Sequence, residues 1–138
     1  LCLDRDRWLA ASRTQRDAHL DLFASQDAGS TWTRCGPLTL PGQHPGHLTR
    51  LADGRILLVY GLRNRGLRGI GARWSVDEGQ TWEAPVLLVD LQDATDVGYP
   101  ASVQMEEGTI VTAYYCNRIP AHQQYHMGIL RWRIDEHS

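Results

Sequence analysis

Ser25-Gln26-Asp27-Ala28-Gly29-Ser30-Thr31-Trp32 and Ser75-Val76-Asp77-Glu78-Gly79-Gln80-Thr81-Trp82 share one pattern, Ser-x-Asp-x-Gly-x-Thr-Trp, with the two aspartates fifty positions apart. A repeat at a fixed spacing of ~50 residues is the mark of stacked supersecondary units. The pattern itself reads as a tight turn. An aspartate can accept hydrogen bonds from backbone N–H groups within its own loop. Glycine supplies a backbone with positive φ. The threonine hydroxyl closes the turn, and the indole packs beneath it. This predicts Trp32 and Trp82 in equivalent buried positions. The oxygen spacing of a calcium loop is missing, so the aspartates are read as folding residues. A decayed third copy follows, with Arg131-Trp132-Arg133-Ile134-Asp135-Glu136 echoing Arg73-Trp74-Ser75-Val76-Asp77-Glu78.

A second pattern lies upstream of the later copies. Leu51-Ala52-Asp53-Gly54-Arg55-Ile56 leads into an apolar run ending at Tyr60, and Met105-Glu106-Glu107-Gly108-Thr109-Ile110 leads into one ending at Tyr114. Each reads as strand, acidic-Gly turn, strand. Short β-branched or aliphatic runs bounded by Gly or Pro favour buried strands, and no helical period competes. The repeating unit is therefore four antiparallel strands, one propeller blade. The fold class is all-β. The chain, residues 1–138, is expected to be part of a single propeller: a partial blade over 7–37, a full one over 46–89, and a third lacking its last strand over 97–134. That is about two and a half blades of a six-bladed ring, and the remaining blades of a parent chain become its first partner.

Composition excludes several classes. Hydrophobic residues make up 42% and charged residues 22%, which is a globular balance rather than a disordered one. The formal charge of −2 gives no basic stripe for nucleic acid. No apolar run is long enough to span a membrane. The three cysteines Cys2, Cys35 and Cys116 contain no CxxC. They suggest neither a disulfide framework nor a zinc site, and they do not identify a compartment.

The octapeptides resemble the Asp box of bacterial neuraminidase repeats. Asp boxes also occur in other propellers, so the resemblance implies the fold more firmly than the activity. A further segment, Asp96-Val97-Gly98-Tyr99-Pro100-Ala101-Ser102-Val103-Gln104, is similar to a late stretch of sialidases that opens an innermost strand. The resemblance places the family's nucleophilic tyrosine on Tyr99, with Pro100 where a Ser is usual and Tyr115 where a Glu often closes the next strand. It also implies arginines that clamp a substrate carboxylate. Arg13 matches one, and Arg68 or Arg63 the next. The first arginine and the acid/base aspartate fall in blades outside the chain, and the glutamate that assists the tyrosine falls before Leu1 or is missing.

The chemistry explains these residue types. A carboxylate on the anomeric carbon repels a carboxylate nucleophile, whereas a neutral phenol polarised by a base does not; sialidases are an exception to the two-carboxylate scheme. A guanidinium pairs bidentately with a carboxylate, and Lys does not reproduce that fork. Each residue also has a plainer reading. Tyr99 fits a packed strand tyrosine, and Arg13, Arg63 and Arg68 fit solvated arginines. Asp96 holds the tyrosine loop, contacts substrate or caps a turn. Aligning Gly54 with Gly108 puts Pro45 level with Tyr99, so His44 and His47 are expected near the same axial mouth, His47 as a sugar contact rather than a metal ligand.

The sequence thus predicts part of a retaining exo-glycosidase acting on a terminal acidic sugar, with no cofactor or metal and an inactive isolated chain. Two alternatives stand beside it. One is a non-catalytic propeller binding glycan or protein. The other is a propeller lyase acting on uronic acids with a tyrosine as base.

Overall fold

The computed structural model describes residues 1–135, and the echo's Glu136 lies outside them. Ten strands and no helix make up the described residues: β1 (Trp8–Arg13), β2 (Leu20–Ser25), β3 (Thr33–Pro37), β4 (Gln43–Arg50), β5 (Ile56–Asn64), β6 (Leu67–Ser75), β7 (Val86–Asp90), β8 (Val97–Gln104), β9 (Ile110–Cys116) and β10 (His126–Trp132). They form three antiparallel sheets, β1-β2-β3, β4-β5-β6-β7 and β8-β9-β10. The chain is an all-β, partial propeller with a four-stranded sheet at its centre.

Sidedness follows from strand alternation. In β5 nearly every residue is buried, because the middle sheet is covered on both faces. Ile56, Leu58, Tyr60 and Leu62 pack with Leu9, Leu20 and Leu22 of the first sheet. The intervening Leu57 and Val59 join Ala72 and Ile110, facing the third. Each fully buried aliphatic side chain contributes about 1.5–3 kcal/mol, so this strand anchors both sheet interfaces. Innermost strands β4 and β8 lie side by side, and β8 also packs on β5.

Both Asp boxes close alike. Ser75 Oγ donates to Asp77 Oδ1 at 2.7 Å and accepts from Gly79 N at 2.8 Å. Thr81 donates to the same carboxylate through its N–H at 2.8 Å and its hydroxyl at 2.5 Å. Ser25, Asp27, Gly29 and Thr31 repeat these bonds at 2.6–2.8 Å. The turn needs two successive residues at positive φ, Glu78 (57°) with Gly79 (90°) and Ala28 (53°) with Gly29 (86°).

The indoles correct the expectation of equal burial. Both donate to the box glycine carbonyl, Trp32 at 3.0 Å and Trp82 at 3.1 Å. Trp82 then packs against the core of the first two sheets, while Trp32 stays 42% exposed. The second box lies on a neighbouring sheet. Gly79 approaches Leu9 and Leu22 so closely that an added Cβ would meet them at 3.2 and 3.6 Å. Arg7 binds Glu78 beside it at 2.5 Å. Among the described residues no sheet occupies the corresponding place for the first box.

The C-terminal echo is also out of register. Trp74 pairs across from Leu57, whereas Trp132 pairs with Ile110, the counterpart of Ile56. A one-residue offset in a strand reverses the face. Trp74 and Trp132 therefore lie on opposite faces of their sheets and are not equivalent.

Candidate functional site at the end opposite the Asp boxes

Strand direction sorts the chain's motifs to two ends. The boxes and acidic-Gly turns lie where β5 begins and β6 ends, since Ile56 pairs with Ser75. The sequence-derived site residues gather at the other end. There β1 finishes at Arg13, paired with Leu20. Gln43 at the start of β4 faces Leu62, and Val97 at the start of β8 faces Cys116.

Both innermost strands bulge at this end. The register slips between Gln43 and Gly46 in β4, and between Gly98 and Ala101 in β8. Each slip leaves one extra residue unpaired, a device that re-aims side chains. In β8 the bulge contains Tyr99, with φ at 47° and 66% of the residue exposed. A bulky non-glycine residue at positive φ is uncommon and persists where the surroundings enforce it. Here Gly98 precedes Tyr99 and approaches Arg63; a Cβ on Gly98 would lie 2.9 Å from Nη2.

A hydrogen-bonded cluster surrounds that bulge. Arg63 donates from Nε to the Val97 carbonyl at 2.8 Å and from Nη2 to the Tyr115 hydroxyl at 2.8 Å. The Tyr115 hydroxyl donates to the Asp96 carboxylate, 3.0 and 3.1 Å from its two oxygens. Tyr125 donates to Asp96 Oδ2 at 3.1 Å. Arg63 also stands 3.7 Å from Asp96 as an ion pair. The Tyr99 ring stacks on Tyr115, with centroids 5.8 Å apart and planes at 28°, and Arg63 lies 5.8 Å from its centroid. Tyr115 also meets Tyr125, with ring centroids 5.9 Å apart. Among the described residues, the Tyr99 hydroxyl makes no hydrogen bond.

Two of the phenols are shifted upward. Burial, then the hydrogen bond to Asp96, raises the Tyr115 phenol above its ordinary range. For Tyr125 the Asp96 hydrogen bond is the leading cause of the same shift. His44 is buried, with no partner for Nδ1. Burial, then the charges of Arg13 and Arg63, holds its pKa below the usual value.

The remaining residues have other places. Arg68 is the cross-strand partner of Arg63, but its Nη1 donates to the Thr95 carbonyl at 2.8 Å, tying down the loop before β8. His47 lies in the seam between β4 and β8. Its Nδ1 is 3.0 Å from Thr49 Oγ1 and accepts from Ser102 N at 3.3 Å. Burial lowers its pKa as well. Tyr125 and Asn117 were missed by sequence reasoning, which named Tyr115 only as the residue standing where a Glu often closes the strand. Asn117 Oδ1 accepts from Thr95 N at 2.9 Å and Asp96 N at 3.1 Å, fixing the Asp96 backbone. The nearest signal was Tyr114-Tyr115-Cys116-Asn117 at the end of an apolar strand. A cavity of about 590 Å³ is lined by Trp8, Leu22, Leu38 and Trp82 beside the second box, away from this cluster.

Comparison with known proteins agrees with this architecture. Residues 1–112 match the BNR repeat-like domain family. No curated protein matches the chain. A solved structure of a protein of unknown function from Dyadobacter fermentans DSM 18053 is 27% identical, with a TM-score of 0.65, over 95% of this chain and 40% of its own. An α-L-arabinanase from Penicillium chrysogenum, complexed with arabinobiose, is 19% identical, with a TM-score of 0.64, over 91% and 39%. A PL25 ulvan lyase bound to -[GlcA(1-4)Rha3S]- is 17% identical, with a TM-score of 0.58, over 78% and 25%. The chain thus spans well under half the length of each, and the arabinanase and the lyase share its fold.

Proposed function

Because the chain belongs to the BNR repeat-like domain family, we propose that it supplies part of a glycan-cleaving site to a propeller that hydrolyses a terminal acidic sugar with retention. The single observation that carries this reading is the convergence of Arg63, Asp96, Tyr99 and Tyr115 on one end of the sheets. Arg63 offers a charged fork beside a phenol that already donates to a carboxylate. Arg13 ends β1 of the neighbouring sheet at the same end of the molecule and supplies a second cation there. Two guanidiniums at one end of the sheets suit a carboxylate-bearing sugar, and a phenol avoids the like-charge approach of a carboxylate nucleophile. The family resemblance assigns the nucleophile to Tyr99. Carbohydrate complexes of two fold neighbours, with arabinobiose and with an ulvan repeat, support a glycan as the ligand class.

The test uses the full-length protein. Release of the aglycone from an aryl sialoside, with an α-anomer as first product by NMR, supports the proposal. In Arg63→Ala, KM should rise and kcat fall, because a charge-assisted contact worth about 1.5–3 kcal/mol is removed. An unsaturated uronate product from a polyuronide substrate would replace hydrolysis with the lyase reading. Binding of acidic glycans without turnover would leave a binding propeller. Neither binding nor cleavage of any acidic glycan would end the proposal.

A further inference from the structure

We infer that the reacting phenol of this site belongs to Tyr115, with Asp96 as its base, and that Tyr99 contributes the face of its ring to the bound sugar. The inference rests on the glycan-cleaving reading above and changes which tyrosine does the chemistry.

Three observations separate the two residues. A phenol becomes a useful nucleophile only when a base lies within reach of its proton. The Tyr115 hydroxyl has one, at 3.0 and 3.1 Å from the Asp96 oxygens, whereas the Tyr99 hydroxyl has no partner among the described residues. Tyr115 is also held in orientation. Arg63 donates to its oxygen at 2.8 Å, and its ring meets those of Tyr99 and Tyr125. Asp96 is fixed in turn by Tyr125 at 3.1 Å and, through its backbone N–H, by Asn117. Tyr99 shows the opposite design. It sits in a bulge at positive φ, is 66% exposed, and stacks one ring face on Tyr115. An exposed ring braced from behind offers a surface for the apolar face of a sugar.

The step balances as follows. The Tyr115 oxygen forms a bond to the anomeric carbon, and its proton passes to Asp96. The glycosidic C–O bond breaks with its electron pair on the leaving oxygen, which takes a proton from a carboxylic acid elsewhere in the full-length protein. Water then attacks the anomeric carbon and gives a proton to the conjugate base of that acid. The bond to Tyr115 breaks with its electrons returning to the phenol oxygen, which recovers its proton from Asp96.

Two experiments decide it. The first needs no substrate: NMR of the protein carrying ¹³Cζ-labelled tyrosine, with resonances assigned by single Phe substitutions. Asp96→Asn should move the Tyr115 resonance and leave that of Tyr99 in place. A shift of Tyr99 with Tyr115 unmoved overturns the pairing. The second incubates the full-length protein with a 3-fluorosialosyl fluoride and maps the adduct by mass spectrometry. An adduct on Tyr115 supports the inference, and one on Tyr99 overturns it. An adduct on no tyrosine sinks the acidic-sugar reading and this inference with it, and the NMR result separates that case from a wrong choice of tyrosine. In turnover of an aryl sialoside, Tyr115→Phe should lose on the order of 10³-fold in kcat with KM little changed. Tyr99→Ala should raise KM on the order of tenfold and lower kcat far less than Tyr115→Phe does. A Tyr99→Ala variant that loses as much kcat as Tyr115→Phe would refute the division of roles.

Discussion

The Asp77 carboxylate shows what one side chain does for this fold. Its pKa is lowered to about 2, first by the hydrogen bond from the Thr81 hydroxyl, then by the Thr81 N–H and by Ser75. An unfolded aspartate titrates near ~3.9. Between those values the unfolded chain binds more protons than the native one, so stability rises with pH there. The contribution is complete above about pH 4 and is lost as the pH falls towards 2. Asp77→Asn should therefore lower the urea midpoint at about pH 6, and the gap to wild type should narrow at about pH 2. A gap that does not change with pH would show that the carboxylate charge plays no part. The two indoles should differ as well. Trp82→Ala removes surface packed between two sheets and should cost about 2 kcal/mol. Trp32→Ala, at an exposed position, should cost less than about 1 kcal/mol. Equal losses in urea unfolding would contradict the packing difference. At this scale the turns were legible and the cluster only in part, with Arg63, Asp96 and Tyr99 singled out but not the bonds among them. Ser25 to Trp32 are neighbours in sequence, so their bonds can be read from a pattern. Tyr115 and Tyr125 stand 19 and 29 positions from Asp96, and only the β8-β9-β10 register brings them together.

Elements add a constraint that pattern reading passed over. Tyr60 faces Gly71 across β5 and β6, and Tyr114 faces Gly128 across β9 and β10. In each pair the phenol ring covers the glycine, a cross-strand packing that only a missing side chain permits. A Cβ on Gly128 would lie 2.2 Å from Tyr114 Cζ, against 3.0 Å from the Tyr60 ring for Gly71. Tyr114 is buried and cannot swing clear. Gly128→Ala should thus destabilise by about 1–3 kcal/mol, and Gly71→Ala by less, read as shifts in denaturant midpoint. The reverse order would show that the rings yield freely. The alignment of Gly54 with Gly108 did put Pro45 level with Tyr99, and both fall in the bulges of β4 and β8. The bulges themselves were invisible, because an extra residue shows only against the strand it fails to pair with. The same blindness misplaced the echo at Trp132, where the shared Arg-Trp pair sits one residue out of register and turns to the other face.

At the scale of the whole molecule, the middle sheet shows what the third sheet's outer face is built to meet. Leu57 and Val59 of β5 project towards the third sheet and are fully covered by it. By register their counterparts in β9 are Val111 and Ala113, since Ile110 stands where Ile56 does at the start of the strand after an acidic-Gly turn. Those two lie on the face of the third sheet that points away from the middle one, together with Met127 and Ile129 of β10. Met127 is 67% exposed and Ile129 59%. Among the described residues no further sheet covers this face, and β10 pairs only with β9. A partly apolar sheet face beside an unpaired strand is a surface for association, and the sheet interfaces within the chain show that the fitting partner is another sheet of this kind. The 138-residue chain should therefore self-associate as its concentration rises. Met127→Lys with Ile129→Glu should weaken that association by at least about tenfold, because each removes roughly 1 kcal/mol or more of apolar burial and sets a charge in the contact. Both side chains point outward, so thermal stability of the monomer should change little. Sedimentation velocity across a concentration series reads the first effect, and a melt at low concentration the second. A chain that stays monomeric at high concentration, or a double variant that associates as strongly as wild type, would show that this face has no affinity for a sheet.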